Sequence, residues 1–308
     1  MASRRQKGIG SALMLGLGVL VAGVDVQGRA QAQPTTAAAG LIAFVREGAP
    51  EAGIYTIAPS GSDLRRLTNG EDYRPRWSPD GTKIVLQRFD ASGVRSFIYV
   101  MNADGTNLVR LTTRAGFQPA WSPDGTRIVF GSGVGRKAEI FVMNADGSNL
   151  TRVTNNRVED FLPAWSPDGG TIAFASKRHE NWDVYLMAPD GTNQRRLTRS
   201  ARTDSNPDWS PDGSRLVFQS QRHRNWDLYS IRPDGSGLQR ITTGQTADST
   251  PAWSPDGSQI AFTIANHDNG REDVAVVDLE GSVILRFVIS DTFDLEPDWQ
   301  PVPANTAP

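Results

Sequence analysis

From Leu41 onward, short runs of apolar residues alternate with polar ones and are broken at regular intervals by Pro, Asp and Gly, the pattern of many short strands joined by tight turns. Alternating segments such as Ile128-Val129-Phe130, Ile172-Ala173-Phe174 and Ile260-Ala261-Phe262 follow a Ser-Pro-Asp-Gly turn. In that turn Pro pre-sets the first position, Asp tolerates the bridge region and Gly takes positive φ, which predicts a hairpin. A variable loop then leads to a third apolar run, Ile98 to Met101, Ile140 to Met143 or Val184 to Met187. Second Gly turns follow at Asp104-Gly105, Asp146-Gly147, Asp190-Gly191, Asp234-Gly235 and Glu280-Gly281. Each unit ends in an outer strand such as Arg110-Leu111-Thr112 or Arg196-Leu197-Thr198.

The order of these signals is periodic. Pro-x-Trp-Ser-Pro-Asp-Gly begins at Pro75, Pro119, Pro163, Pro207 and Pro251, and a degenerate copy begins at Pro297. Trp77, Trp121, Trp165, Trp209, Trp253 and Trp299 are thus separated by 44, 44, 44, 44 and 46 residues. Four antiparallel strands in such a period make one propeller blade. Leu41 to Phe44, Ile54 to Ile57 and Leu64 to Thr68 match the second, third and fourth strands of a blade, while Trp299 supplies a first strand with nothing after it. Joining the two ends predicts an all-β, six-bladed β-propeller of four-stranded antiparallel blades, closed by pairing the N- and C-terminal strands in one blade. An open stack, the alternative, would carry polar caps at both ends.

Composition narrows the setting. The 308 residues include no cysteine and carry a formal charge of −2. This excludes a disulfide-stapled domain, a thiol enzyme, a Cys-ligated metal site and a strongly basic nucleic-acid binder. Arg4, Arg5 and Lys7, the apolar run from Ile9 to Val24 and Ala30-Gln31-Ala32 have the layout of a secretory signal peptide. The expected organisation is a signal peptide over 1–32, a linker over 33–39, the propeller over 40–302 and a tail over 303–308. Ser3-Arg4-Arg5 leaves the Sec and twin-arginine routes both open. The mature chain is expected to be a periplasmic or secreted monomer with no transmembrane segment and no nucleic-acid partner.

The repeat resembles the β-propeller of the TolB family. Trp-Ser-Pro-Asp-Gly, the Met-Asn-Ala-Asp-Gly turns at Met101 to Gly105 and Met143 to Gly147, and the Arg-Leu-Thr ends at Arg66 to Thr68 and Arg196 to Thr198 carry that resemblance over about residues 40 to 300. It implies a binding or scaffold role, and TolB proteins engage a peptidoglycan-associated lipoprotein, which makes such a lipoprotein a candidate partner. Full TolB proteins also carry an α/β domain before the propeller, for which there is no room between Ala32 and Leu41. No Gly-x-Ser-x-Gly elbow of a prolyl-peptidase-like enzyme occurs either.

The loops entering first strands and linking second to third strands vary most, so the face bearing them is the expected binding surface. Asp72, Asp160, Asp204, Asp248 and Asp294 lie three residues before the motif Pro. They are expected to ring the channel mouth, where carboxylates would hold calcium or receive a partner's Lys or Arg, or else to cap their own turns. Arg178, Trp182, Arg222 and Trp226 come from two near-duplicate loops, Arg178 to Asp183 and Arg222 to Asp227. An aromatic ring beside Arg suits an interface hot spot, and the alternative is that Trp covers a gap between blades while Arg pairs with Asp. His179, His223 and His267 stand 44 apart, too divergent for a metal triad. Asp291, Asp294, Glu296 and Asp298 invite comparison with a glycosidase acid pair, though Asp298 shares a repeat position with Asp208 and Glu296 with Asn206 and Thr250. The expectation is a non-enzymatic, cofactor-free binding propeller engaging a protein or envelope ligand. A metal-assisted carbohydrate lyase or hydrolase on the same scaffold is the alternative.

Overall fold

The computed structural model describes residues 40–48, 50–133, 138–266, 270–287 and 293–302. The chain divides into two units, residues 1–36 and 37–308, of which the first, with the expected signal peptide, lies outside the described residues. Six four-stranded antiparallel sheets follow one another as the repeat predicts. The second blade, for example, runs Asp72–Trp77, Lys83–Phe89, Ser96–Asn102 and Val109–Arg110, from axis to rim. The third to sixth blades begin with the inner strands Phe117–Trp121, Asp160–Trp165, Asp204–Trp209 and Ala247–Trp253.

The first blade joins both ends of the chain: Phe293–Trp299 pairs with Ile42–Glu47, which is followed by Gly53–Ile57 and Arg65–Arg66. Ile42 faces Trp299 and Arg46 faces Asp294 in that ladder. The Gln300 amide adds a hydrogen bond to the Leu41 carbonyl at 2.8 Å. Inner strands contact one another in a closed circuit, so closure leaves no terminal sheet unpaired.

The hydrophobic core lies in six seams between adjacent blades. At one seam Ala164, Ala173, Val184 and Leu186 of the fourth blade meet Trp209, Phe218 and Tyr229 of the fifth. The same arrangement sets Trp299, Phe44 and Tyr55 against Ala252, Ala261 and Val276 at the closing seam. Second and third strands are buried on both faces because each sheet is covered by two neighbours, which is why they read as near-continuous apolar runs. Phe130, Phe174, Phe218 and Phe262 are fully buried at the same place in successive blades.

Turn chemistry fixes the frame. Ser166 Oγ donates to Asp168 Oδ1 at 2.5 Å and accepts the Thr171 amide at 2.9 Å, so the motif serine ties both sides of its hairpin. The motif glycines at 81, 125, 169, 213 and 257 all sit at φ between 67° and 71°, a region a side chain would strain. The Arg-x-Thr ending has its own logic. Thr68, Thr112, Thr154, Thr198 and Thr242 accept the first free third-strand amide, at 2.9–3.1 Å. Outer strands can therefore stop after two residues in five of the six blades without orphaning a buried donor.

Candidate functional site

Every inner strand bulges at the residue before the motif proline. Tyr73 faces Gln87 and Arg76 faces Val85, so Arg74 and Pro75 together oppose one residue of the neighbouring strand. Arg74, Gln118, Leu162, Asn206, Thr250 and Glu296 consequently all adopt φ between 48° and 56°. Left-handed backbone at six non-glycine positions costs energy and persists because the surrounding ring over-determines it. The bulge frees their amides from the ladder, and side chains take them up. Arg74 N–H donates to Glu296 at 2.8 Å, Leu162 N–H to Gln118 at 3.1 Å and Thr250 N–H to Gln219 at 2.9 Å.

The axis is closed by charge. Arg74 makes an ion pair with Glu296 at 2.7 Å and reaches across the ring to Asn206, on the opposite blade, at 3.0 Å. Below it Arg76 pairs with Asp298 at 3.0 Å, and Asp298 also accepts the Trp77 amide at 2.8 Å. Asp208 takes the Trp253 amide in the same way at 2.8 Å. The space left between Arg74, Arg76, Gln118, Leu162 and Asn206 is about 20 Å³, room for one water. Burial pushes the Asp298 carboxyl up to about 6 despite Arg76, and it raises Asp208 as well.

The five aspartates chosen from the sequence sit elsewhere than expected. Asp72, Asp160, Asp204, Asp248 and Asp294 are at most 3% exposed. Four of them pair with arginines on, or just past, the neighbouring second strand: Asp72 with Arg88 at 2.5 Å, Asp160 with Arg178 at 2.8 Å, Asp204 with Arg222 at 2.7 Å and Asp294 with Arg46 at 2.7 Å. They form buried cross-strand ion pairs rather than an open ring or simple turn caps. Asp248 has no such arginine, and burial pushes its carboxyl up to about 6, with Thr242 and Thr246 as its hydrogen-bond donors.

The duplicate loops follow the same scheme. Arg178 lies over Tyr185, 5.1 Å from the ring centre, while His179 Nδ1 and the Tyr185 hydroxyl are 2.5 Å apart. Arg222, Tyr229 and His223 repeat this one blade on. Asn181 donates to the Ser200 and Arg202 carbonyls, and Asn225 to those of Gly244 and Thr246, so each loop clamps the entry to the next inner strand. Asp183 pairs with Arg196 and Asp227 with Arg240. Trp182 is half-buried edge-on against Phe161, 4.2 Å between ring centres, and Trp226 is half-buried too. Thus Arg178 and Arg222 are committed within the fold, and the two tryptophans present only part of their surface. His267 and Asp291 lie outside the described residues, and no group of three or more metal-ligating side chains occurs among those described.

The exposed and half-buried charge on the loop-bearing face is strongly polarised. Around the third to fifth blades the exposed side chains Arg114, Arg157, Lys177, Arg199, Arg202 and Arg224 outnumber Glu159 and Glu180. Around the sixth, first and second blades Glu47, Glu51, Glu71, Asp90 and Glu272 outnumber Arg95 and Arg271. This asymmetry was missed in the sequence, as were Arg74 and Arg76 and the axial placement of Glu296, Asp298, Asn206 and Asp208. The signal for the axial set was variation within a fixed frame: Arg, Gln, Leu, Asn, Thr and Glu occupy the one repeat position directly before the constant motif proline.

Known proteins share this architecture. A 52-residue stretch is 42% identical to the Tol-Pal system protein TolB of Nitratidesulfovibrio vulgaris, covering 16% of this chain and 12% of that protein. The crystal structure of TolB from Acinetobacter baumannii superposes with a TM-score of 0.75 at 20% identity, over 85% of this chain and 67% of that one. A puromycin-hydrolyzing peptidase of Mycobacterium tuberculosis matches with a TM-score of 0.56 at 16% identity, over 80% of this chain and 45% of its own. At such identities the two structural matches bear on fold alone. The model of the TolB beta propeller domain matches residues 42–161 and 151–304, nearly the whole propeller, and the chain belongs to that family.

Proposed function

We propose that this chain is a TolB-like binding propeller of the cell envelope that captures a protein partner through the basic half of its loop-bearing face. The observation that carries the reading is the segregation of exposed charge on that face. Arg114, Arg157, Lys177, Arg202 and Arg224 have no carboxylate partner in any ion pair among the described residues, so they are free to meet an acidic surface. A rigid ring presents them with little ordering cost on binding. Trp182 and Trp226 lie within this sector as its aromatic contribution. Kinship with TolB makes a peptidoglycan-associated lipoprotein the first partner to try, and a periplasmic location goes with it. No helix among the described residues is long and apolar enough to cross a membrane.

Binding is favoured over catalysis at the axis because Asp294, Glu296 and Asp298 each already hold an arginine. Calcium at the channel mouth has little support in the same geometry, since four of the five candidate aspartates are spent on arginines. Capture from envelope extract tests the proposal. The wild-type propeller should retain a partner that the quadruple variant Arg114→Glu, Arg157→Glu, Arg202→Glu, Arg224→Glu loses, with retention weakening as salt rises. Equal capture by both proteins would refute it.

A further inference from the structure

The seams between blades are not equally tight, and one of them is both open and cationic. In most blades the second Gly turn presses on the outer strand of the blade before it. A Cβ placed on Gly105, Gly147, Gly191 or Gly281 would lie only 2.0–2.8 Å from the backbone carbonyl of Leu67, Leu111, Val153 or Ile241. At Gly235 the equivalent distance, to the Leu197 carbonyl, is 3.9 Å. The fifth blade therefore stands away from the fourth at the rim, and a cleft of about 370 Å³ opens there.

Four arginines line this cleft: Arg195, Arg196, Arg199 and Arg222. Arg196 and Arg222 are neutralised by the buried Asp183 and Asp204, each at 2.7 Å. Among the described residues, Arg195 and Arg199 pair with no carboxylate. Arg195 donates to the Pro233 carbonyl at 2.7 Å, and Arg199 makes no hydrogen bond or ion pair among the described residues. The acid of the lining, Asp234, is held in its own turn by the Ser236 amide at 2.8 Å. Leu238, 46% exposed, stands at the opening. Two uncompensated guanidiniums beside an apolar wall suit an oxyanion on an apolar stem, because the planar fork takes carboxylate or phosphate oxygens in pairs.

We propose that the rim cleft between the fourth and fifth blades is a second ligand site, distinct from Arg114, Arg157, Arg202 and Arg224 of the partner-binding face, for an amphiphilic oxyanion whose carboxylate or phosphate is held by Arg195 and Arg199 and whose apolar part rests on Leu238. Titration calorimetry of the folded protein with hexyl phosphate, hexanoate and hexanol tests it. At least one of the two anions should saturate the protein, and the tighter of the two tells a phosphate source from a carboxylate source. The double variant Arg195→Gln, Arg199→Gln, whose positions are exposed, should bind that anion at least tenfold more weakly, about 1.4 kcal/mol. Arg65→Gln, the same repeat position at the tight seam between the first and second blades, should bind as the wild type does. The site is overturned by no saturation with either anion up to about 10 mM. Hexanol binding as tight as the anions, or a double variant that binds unchanged, overturns it too.

Discussion

Asp248 and Asp204 occupy one repeat position and face opposite costs. Asp204 holds Arg222 at 2.7 Å, so Asp204→Asn leaves a guanidinium inadequately paired and should lower unfolding free energy by about 3 kcal/mol. Asp248 is buried without an arginine and its carboxyl is raised to about 6, so its ionised form opposes folding at neutral pH. Asp248→Asn should therefore stabilise the protein at pH 8, by about 1–3 kcal/mol, and should do little at pH 4. Urea titrations at the two pH values check both expectations. At the axis, Arg74→Ala removes the side chain that spans to Asn206. It should admit solvent, seen as faster hydrogen exchange of the Arg74 and Trp77 amides, whose acceptors Glu296 and Asp298 belong to the same network.

Among the elements, those governed by local chemistry were legible and those governed by register were not. Ser-Pro-Asp-Gly announced its hairpin because Ser, Asp and Gly bond within a few residues of one another. The aspartates before the motif proline were misplaced because three of their arginines come 16 to 18 residues later, as Arg88 does after Asp72 and Arg178 after Asp160, and the fourth, Arg46, lies at the other end of the chain from Asp294. Only the ladder register, with Asp72 opposite Arg88, brings them together. The meeting of Arg74 with Glu296 and Asn206 at the axis was hidden by the bulge, which puts two residues of the inner strand against one of its neighbour. The outer strands show how short an element can be when a side chain finishes its hydrogen bonding. Thr198→Val keeps the shape but removes the acceptor of the Val184 amide, 3.0 Å away, and should cost about 1–3 kcal/mol in chemical denaturation.

At the scale of the whole molecule, opposing sets of carboxylates shape the response to pH. Asp124 is held down to about 2, chiefly by the Ser122 hydroxyl and then the Thr126 amide, and Asp80, Asp168 and Asp212 are lowered in the same way. Their folded values lie below the ordinary 3.8, so the stability they add is present above 3.8 and is lost as pH falls toward 2. Asp248 and Asp298 are raised to about 6, so stability is regained as pH falls from above 6 toward 3.8. Thermal melts should accordingly peak in mildly acidic buffer, between about pH 4 and 6. A melting temperature rising steadily from pH 5 to 8 would contradict this assignment.

The shared first blade has a further consequence for how the polypeptide may be written. Since Phe293–Trp299 lies beside Ile42–Glu47, the backbone can be spliced there with a short linker and cut instead at an exposed loop such as the one holding Arg157. Such a circular permutant should refold to the same six-sheet ring, because the order in which the sheets are threaded is arbitrary once the circle is complete.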